Sequence, residues 1–141
     1  MASSFARDED ILEILNTLKT VAVVGCSPDP FRESHLVARF LKERGYRVIP
    51  VNPASATIFA EPCYPALMEV PEPVEVVDVF RRSEHVAALV EEVIEIKAQA
   101  LWLQEGVIDI EAAQRARQAG LKVVMDRCML KQWYRFQKEL A

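Results

Sequence analysis

The sequence has few glycines, and their positions argue against two common nucleotide-binding loops. Only four glycines occur in 141 residues, and Gly25 is the only one between Thr20 and Arg44. The G-x-G-x-x-G loop of NAD- or FAD-binding enzymes is therefore absent, and so is a phosphate loop that ends in Gly-Lys-Ser or Gly-Lys-Thr. The pattern argues against a dehydrogenase and against a nucleoside triphosphatase.

Cysteine is also scarce, which bears on disulfides and metals. The three cysteines Cys26, Cys63 and Cys128 are an odd number, lie far apart, and have no histidine at metal-ligand spacing. We therefore predict neither a disulfide framework nor a zinc site, and no metal ligands are assigned.

Long apolar runs and an excess of positive charge are missing as well. No apolar run approaches the ~20 residues that cross a bilayer, and the first ten residues lack the layout of a secretion signal. The net charge of −4 offers no basic field for nucleic acid. With 51% apolar and 27% charged residues, we predict a single folded domain over residues 1–141, located in the cytoplasm and not bound to membrane or nucleic acid.

Apolar β-branched runs alternate along the chain with segments of helical periodicity. This alternation favours parallel strands joined by helices, so we predict an α/β fold: a three-layer Rossmann-type doubly wound parallel sheet with five main strands in the order 3-2-1-4-5. The proline-rich segment 52–73 is predicted to be mostly loop, with one helical turn at 66–69. The predicted strands are 20–25, 46–51, 74–80, 100–103 and 121–125, and the helices begin near Asp8, Ser34, Ser83, Asp109 and Met129.

In this strand order, strands 1 and 4 are neighbours whose connections leave to opposite faces, which opens a crevice at their carboxyl ends. Each segment that follows a strand contributes polar or flexible residues there. We predict a ligand site made of Gly25, Cys26, Ser27, Arg32, Ser34, Asn52, Pro53, Phe80, Arg81, Gln104, Gly106, Asp126 and Cys128.

The loop 25–34 has the composition of an anion site because it leads into a helix whose free amides and dipole attract phosphate. Gly25 would let the chain approach the ligand, Arg32 would add a charge-assisted bond, and Ser34 would cap the helix or touch a phosphate. The alternative is that Gly25 only turns the chain and Arg32 is a solvated charge. Asp78, inside an apolar strand, needs a partner and has either a structural or a ligand-binding role.

These segments together resemble the stand-alone CoA-binding proteins, which are relatives of the N-terminal domain of the succinyl-CoA synthetase alpha subunit. The similarity extends from Ile11 to about Met129. It is carried by VAVVGCS at 21–27 with R-x-S at 32–34, GYRVIPVNP at 45–53, VDVFR at 77–81, LWLQEG at 101–106 and VVMDRC at 123–128.

The resemblance implies a binding mode for coenzyme A. The pyrophosphate would lie over the loop 25–34, the adenosine would point to Asn52, Pro53, Phe80 and Arg81, and the pantetheine arm would run toward Gln104, Gly106, Asp126 and Cys128. The sequence departs from the synthetases in two places: Ser55 stands where they carry a lysine, and Arg127-Cys128-Met129 stands where they carry Asn-Cys-Pro. His35 and His85 match no phosphohistidine and are predicted to have surface or capping roles.

The first functional hypothesis is therefore a module or regulator that binds CoA or an acyl-CoA and has no catalytic residues of its own. The alternatives are an NAD(P)-binding oxidoreductase or redox sensor on the same fold, and an interaction protein whose pocket is vestigial. A protein partner or a homodimer is compatible with the hypothesis of a CoA-binding module. Cys128 is predicted to be either an inert buried thiol or a site for a mixed disulfide with CoA.

Overall fold

The computed structural model describes residues 2–140 and contains a five-stranded parallel sheet with a small antiparallel hairpin beside it. The hairpin falls in the segment that was predicted to be loop. The strands are β1 (Thr20–Val24), β2 (Arg47–Val51), β3 (Thr57–Ile58), β4 (Glu61–Pro62), β5 (Val76–Val79), β6 (Ala100–Leu103) and β7 (Lys122–Val124), with β3 and β4 forming the hairpin.

Helices cover both faces of the sheet, which gives the three predicted layers. Apolar side chains of α1, α2 and α5 pack on one face, and those of α3 and α4 pack on the other. None of the helices in the described part of the chain has the length and apolar character that a bilayer crossing requires. The helices are α1 (Asp8–Thr17), α2 (Glu33–Glu43), α3 (Val86–Glu95), α4 (Ile110–Gln118) and α5 (Met129–Arg135), with 3-10 turns at Ala2–Phe5, Leu67–Glu69, Ser83–His85 and Gln137–Glu139.

The Rossmann-type doubly wound parallel sheet of five main strands is confirmed, but the order along the sheet needs one correction. The observed order is β2-β1-β5-β6-β7, so the third main strand pairs with the first and fourth instead of lying outside the second. Pro50 explains why β2 is an edge strand. Proline has no N–H to donate, so it belongs at an edge, where only one neighbour must be bonded. Pro50 pairs with Val23 of β1 in the parallel register.

Two features account for the central position of β5: its side chains are buried, and the residue just before it bonds to the start of β1. All four residues of β5 are buried, as expected for a strand covered on both faces and paired on both edges. Just before it, the Glu75 carboxylate accepts the backbone N–H groups of Lys19 and Thr20 at 2.8 and 2.9 Å, which fixes β5 beside β1. Because β5 now separates β1 from β6, the crevice expected between strands 1 and 4 opens between β1 and β5 instead.

Local signals for helix ends were partly confirmed. The Asp109 carboxylate accepts the Ala112 N–H at 3.0 Å and caps α4, and Gly45 follows α2 in the left-handed region at φ +94°. Ser83 does not cap α3, since its Oγ accepts the Ile108 N–H at 2.9 Å and ties two loops together. The helical turn predicted in the proline-rich segment is the 3-10 turn Leu67–Glu69.

Candidate functional site

A polar cavity of about 330 Å³ opens at the carboxyl ends of β1 and β5, beside the first turn of α2. Its walls come from the segments that follow β1, β2 and β5, which the parallel arrangement of these strands brings to one edge. The lining residues are Gly25, Ser27, Arg32, Glu33, Ser34, Asn52 and Phe80.

Gly25 is required by a close approach within the protein. Its φ of +86° lies in the left-handed region, and a Cβ at this position would lie 2.3 Å from the Phe80 carbonyl oxygen and 3.2 Å from Arg81 Cδ. Both its backbone conformation and its neighbours therefore exclude a larger side chain. Gly25 lets the loops after β1 and β5 touch, and this contact forms the floor of the cavity.

The loop between β1 and α2 is held by its own short side chains. Ser34 Oγ accepts the Ser27 N–H at 2.9 Å, Ser27 Oγ accepts the Asp29 N–H at 3.0 Å, and an Asp29 carboxylate oxygen accepts the Phe31 N–H at 3.0 Å. Ser34 thus closes the loop and does not cap α2, whose N-cap position is Arg32 and has no side-chain cap bond. The loop is consequently shaped before any ligand arrives.

His35 lies beneath this loop, and the prediction of a surface or capping role is wrong for it. It is only 9% exposed, its Nδ1 lies 2.9 Å from the Ser27 carbonyl oxygen, and its ring lies 4.6 Å from the ring of Phe59. The sequence position suggested a helix start, but the first turn of α2 faces inward at this residue. His35 therefore supports the wall of the cavity from below.

The electrostatics of the cavity combine a helix N-terminus with side chains of both signs. The first amides of α2 have no partner within the helix and carry the positive end of its dipole. The exposed Arg32 adds a positive charge to the wall, and the exposed Glu33 beside it adds a negative one. Glu33 was not predicted as a site residue; its position in the first turn, directly after Arg32, was the available signal.

Asn52 connects this cavity to a second one. Its Nδ2 donates to the Cys26 carbonyl oxygen at 2.8 Å, and its Oδ1 accepts the Ala54 N–H at 2.9 Å. Pro53 follows directly and lines the second cavity, of about 340 Å³. The other lining residues of this second cavity are small or apolar, with one serine: Ala54, Ser55, Ala56, Cys63 and Pro65.

Asp78 and Gln104 form a fully buried polar pair on the α2 face of the sheet. Gln104 Nε2 donates to Asp78 Oδ1 at 2.7 Å, while Asp78 Oδ2 and Gln104 Oε1 have no hydrogen-bond partner. Burial raises the pKa of Asp78 from its ordinary value of 3.8 to about 7, the Gln104 hydrogen bond opposes this shift, and the Glu33 charge adds to it. The partner that Asp78 was expected to need is thus the uncharged amide of Gln104.

The loops after β6 and β7 are joined by one carboxylate. An Asp126 oxygen accepts the Gly106 N–H at 2.8 Å, and Asp126 itself has a positive φ of +61°. The Arg127 side chain turns back to donate to the Asp126 carbonyl oxygen at 2.8 Å. These bonds make Gly106 and Asp126 a structural junction at the far end of the carboxyl edge.

All three cysteines are buried free thiols, with no disulfide among them. Burial, with the nearby Cys63 and Asp78 adding to it, raises the pKa of the Cys26 thiol to about 12. Burial likewise raises the pKa of Cys128, whose sulfur lies within 4.8 Å of carboxylate oxygens of Glu33 and Glu105. In the folded protein these thiols are therefore mainly in the protonated, weakly nucleophilic form.

A comparison with known protein families identifies the family of this domain. Residues 19–133, which include every segment that lines the two cavities, match the family described as the CoA binding domain. The chain belongs to this CoA-binding domain family. The resemblance noted in the sequence to stand-alone CoA-binding proteins is thereby confirmed.

Other members and relatives of the family show how this domain occurs elsewhere. The chain is 39% identical over 120 residues to the uncharacterized protein YneT of Bacillus subtilis, which covers 85% of this chain and 89% of that protein. A solved structure of a hypothetical protein from Pyrococcus horikoshii is similar with a TM-score of 0.89 and 39% identity, covering 93% of this chain and 92% of that one. An ADP-forming acetate–CoA ligase of Archaeoglobus fulgidus is 26% identical, and the chain spans only 18% of that ligase.

Within this CoA-binding domain the predicted site residues fall into distinct groups. Gly25, Ser27, Arg32, Ser34, Asn52 and Phe80 meet around the first cavity, and Pro53 lines the second. Arg81 packs beside Gly25 and lines a separate small cavity with His85. The remaining predicted residues, Cys26, Gln104, Gly106, Asp126 and Cys128, form the buried or structural underside of the carboxyl edge.

Proposed function

We propose that this domain binds coenzyme A or an acyl-CoA at the carboxyl ends of β1 and β5, as a binding module or regulator without catalytic residues of its own. The observation that carries the proposal is the preformed cavity at the amino end of α2, with Arg32 on its wall. A diphosphate is the ligand group that a helix N-terminus with an adjacent arginine recognises well. The family match supports coenzyme A as the source of that diphosphate.

The two ends of the carboxyl edge of the sheet differ in their side chains, and this difference supports one orientation of the bound CoA. The cavity beyond β2 is lined mainly by prolines and alanines, and a largely apolar lining of this kind suits an adenine ring. The opposite end, after β6 and β7, holds the carboxylates of Glu105 and Asp126, which could accept hydrogen bonds from the amides of a pantetheine arm. We therefore propose that the adenosine lies near Pro53 and that the thiol end points toward Cys128.

A role without catalysis is supported by the state of the nucleophiles. Cys26 and Cys128 are buried and their pKa values are raised, so neither thiol is activated at neutral pH. His35 is buried beneath the loop, where its Nδ1 contacts a backbone carbonyl. The chemistry available at this edge is binding and orientation.

Isothermal titration with CoA, dephospho-CoA and NAD tests the proposal, together with a matched pair of variants. Arg32→Ala removes the charge on the cavity wall, and Arg39→Ala removes the same charge from the exposed side of the same helix. We expect CoA to bind more tightly than dephospho-CoA, and Arg32→Ala to weaken CoA binding about tenfold while Arg39→Ala has little effect, since a hydrogen bond to a charged group contributes roughly 1.5–3 kcal/mol. No heat and no shift in melting temperature with 1 mM CoA would contradict the proposal.

A further inference from the structure

A third cavity, of about 170 Å³, lies beside the amino end of α3 and next to the proposed CoA site. Its lining residues are Arg81, His85, Ala88, Leu89 and Glu92. The side chains of Arg81 and His85 are exposed, so the cavity opens to solvent at this end. A volume of this size holds several water molecules and therefore has room for a phosphate group.

Arg81 connects the third cavity with the first. Its Cδ lies 3.2 Å from the position that a Cβ on Gly25 would take, and the contact between Gly25 and the loop after β5 forms the floor of the first cavity. The aliphatic part of Arg81 thus passes beside this floor, while the same side chain lines the third cavity. A ligand that lies over the loop 25–34 is therefore within reach of the Arg81 guanidinium group.

The two basic side chains of the third cavity have no partner within the protein. Among residues 2–140, neither the Arg81 nor the His85 side chain forms an ion pair or a hydrogen bond. The neighbouring Arg82 differs, since its guanidinium lies 3.8 Å from the Glu84 carboxylate. Glu92 lies seven residues beyond His85, roughly 10 Å along the helix axis, which leaves the amino end of the cavity to Arg81 and His85.

The proposed orientation of CoA brings its ribose close to this side of the site. With the adenine near Pro53 and the diphosphate over the loop 25–34, the ribose lies between the ends of β2 and β5, on either side of β1. Neighbouring strands are about 4.8 Å apart, so these two ends are separated by about 10 Å, which is comparable to the length of a nucleoside monophosphate. None of the described residues that line the second cavity is charged, so a phosphate on the ribose meets an unpaired cation on the β5 side.

We infer that Arg81, together with His85, binds the 3′-phosphate of coenzyme A, and that the third cavity selects 3′-phosphorylated adenine nucleotides over those that lack this group. The inference rests on the proposed CoA function and on the orientation given to the adenosine. A phosphate monoester carries a charge of about −1.5 to −2 near neutral pH and offers three acceptor oxygens. The guanidinium of Arg81 can donate two parallel hydrogen bonds to such a group, and a ring N–H of His85 can donate another.

The test compares CoA with dephospho-CoA, which differ only in the 3′-phosphate. Titration calorimetry measures both dissociation constants for the wild-type chain, Arg81→Met and Arg82→Met. Methionine keeps an unbranched stem beside Gly25 and removes the charge, and Arg82→Met removes the same charge from the exposed neighbouring residue. We expect the wild type and Arg82→Met to bind CoA about tenfold more tightly than dephospho-CoA, and Arg81→Met to reduce this ratio to below twofold, because the hydrogen bonds between Arg81 and the phosphate are lost.

The outcomes separate this inference from the proposed function. Arg32→Ala, on the wall of the first cavity, should weaken both ligands by a similar factor, because both carry the diphosphate. Equal affinities of the wild type for CoA and dephospho-CoA, or an unchanged ratio in Arg81→Met, would overturn the inference while CoA binding itself stands. Equal weakening of both ligands by Arg81→Met would also overturn it, since Arg81 would then only support the floor of the first cavity. If neither ligand binds to the wild type, the proposed function fails and the inference fails with it.

Discussion

Replacing Asp78 by asparagine is expected to remove most of a pH dependence of stability that the wild-type chain carries. The carboxyl group is completely buried, and burial raises its pKa from 3.8 to about 7. Because the pKa is raised in the folded protein, the Asp78 carboxyl ionises at a lower pH in the unfolded chain than in the folded one. The contribution of the protonated Asp78 carboxyl to stability is therefore fully present below about pH 4. It is lost as the pH rises toward 7 and changes little above that.

The magnitude follows from linkage. The full pKa difference corresponds to about 4 kcal/mol of stability lost by pH 8, of which about 2.5 kcal/mol is lost between pH 5 and pH 8. Asparagine has almost the same shape and cannot ionise. The free energy of unfolding of Asp78→Asn should thus exceed that of the wild type by about 2.5 kcal/mol more at pH 8 than at pH 5.

Urea unfolding of both proteins at half-unit steps from pH 5 to pH 9 measures this difference. Subtracting the two curves cancels every titration that the two proteins share. The carboxyl groups of Glu61 and Glu72, whose pKa values their arginine and lysine partners lower, act with the opposite sign and below this range. A difference between the two proteins that stays constant, or that shrinks as pH rises, would refute the reasoning.

Three further predictions concern the loop after β1. Gly25→Ala should cost at least 2 kcal/mol more in urea unfolding than Gly45→Ala, because both glycines have positive φ but only Gly25 faces a carbonyl oxygen 2.3 Å from the added Cβ; equal losses would contradict this. Ser34→Ala should cost about 0.5–1.5 kcal/mol and weaken CoA binding in calorimetry, because the part-buried hydrogen bond from the Ser27 N–H is lost, and unchanged affinity would count against loop preorganisation. Cys26, with a pKa of about 12, should react with iodoacetamide at pH 8 more than a hundredfold faster in urea than in the native protein, and comparable rates would show that it is accessible.

The parts of the fold that depend on local patterns could be predicted from the sequence, and the part that depends on long-range pairing could not. The five main strands and the five helices follow from apolar periodicity and turn residues and lie near their predicted positions, whereas the β3–β4 hairpin lies in the segment predicted to be loop. The strand order required knowing which edges of β2 could be bonded. Pro50 carried that information, since a proline in mid-strand disfavours a neighbour on both sides. The segment between β2 and β5 forms no α-helix, so periodicity said nothing about where the chain crosses the sheet.

The structure places a cavity at the predicted edge of the sheet, but the contacts of individual side chains there differ from those expected. Residues that follow the strands were expected at one edge, and the cavity lies there. Whether a side chain faces the cavity or supports it from below depends on loop hydrogen bonds that no short pattern encodes. His35 and Ser34 illustrate this, because both hold the loop through Ser27. Glu33 was missed because a glutamate in a first helical turn is ordinarily a solvated residue that favours the dipole.

The hydrogen bonds behind the cavity also bear on how tightly it can bind. Asn52 holds the Cys26 carbonyl, Ser34 holds the Ser27 amide, and Gly25 donates to the Val51 carbonyl at 2.8 Å. A loop fixed in this way loses little conformational entropy on binding, so more of the phosphate interaction appears as affinity. Under the proposed function, the fixed loop would let a cleft with one arginine and one glutamate on its wall bind a diphosphate, because the amides at the start of α2 are already oriented.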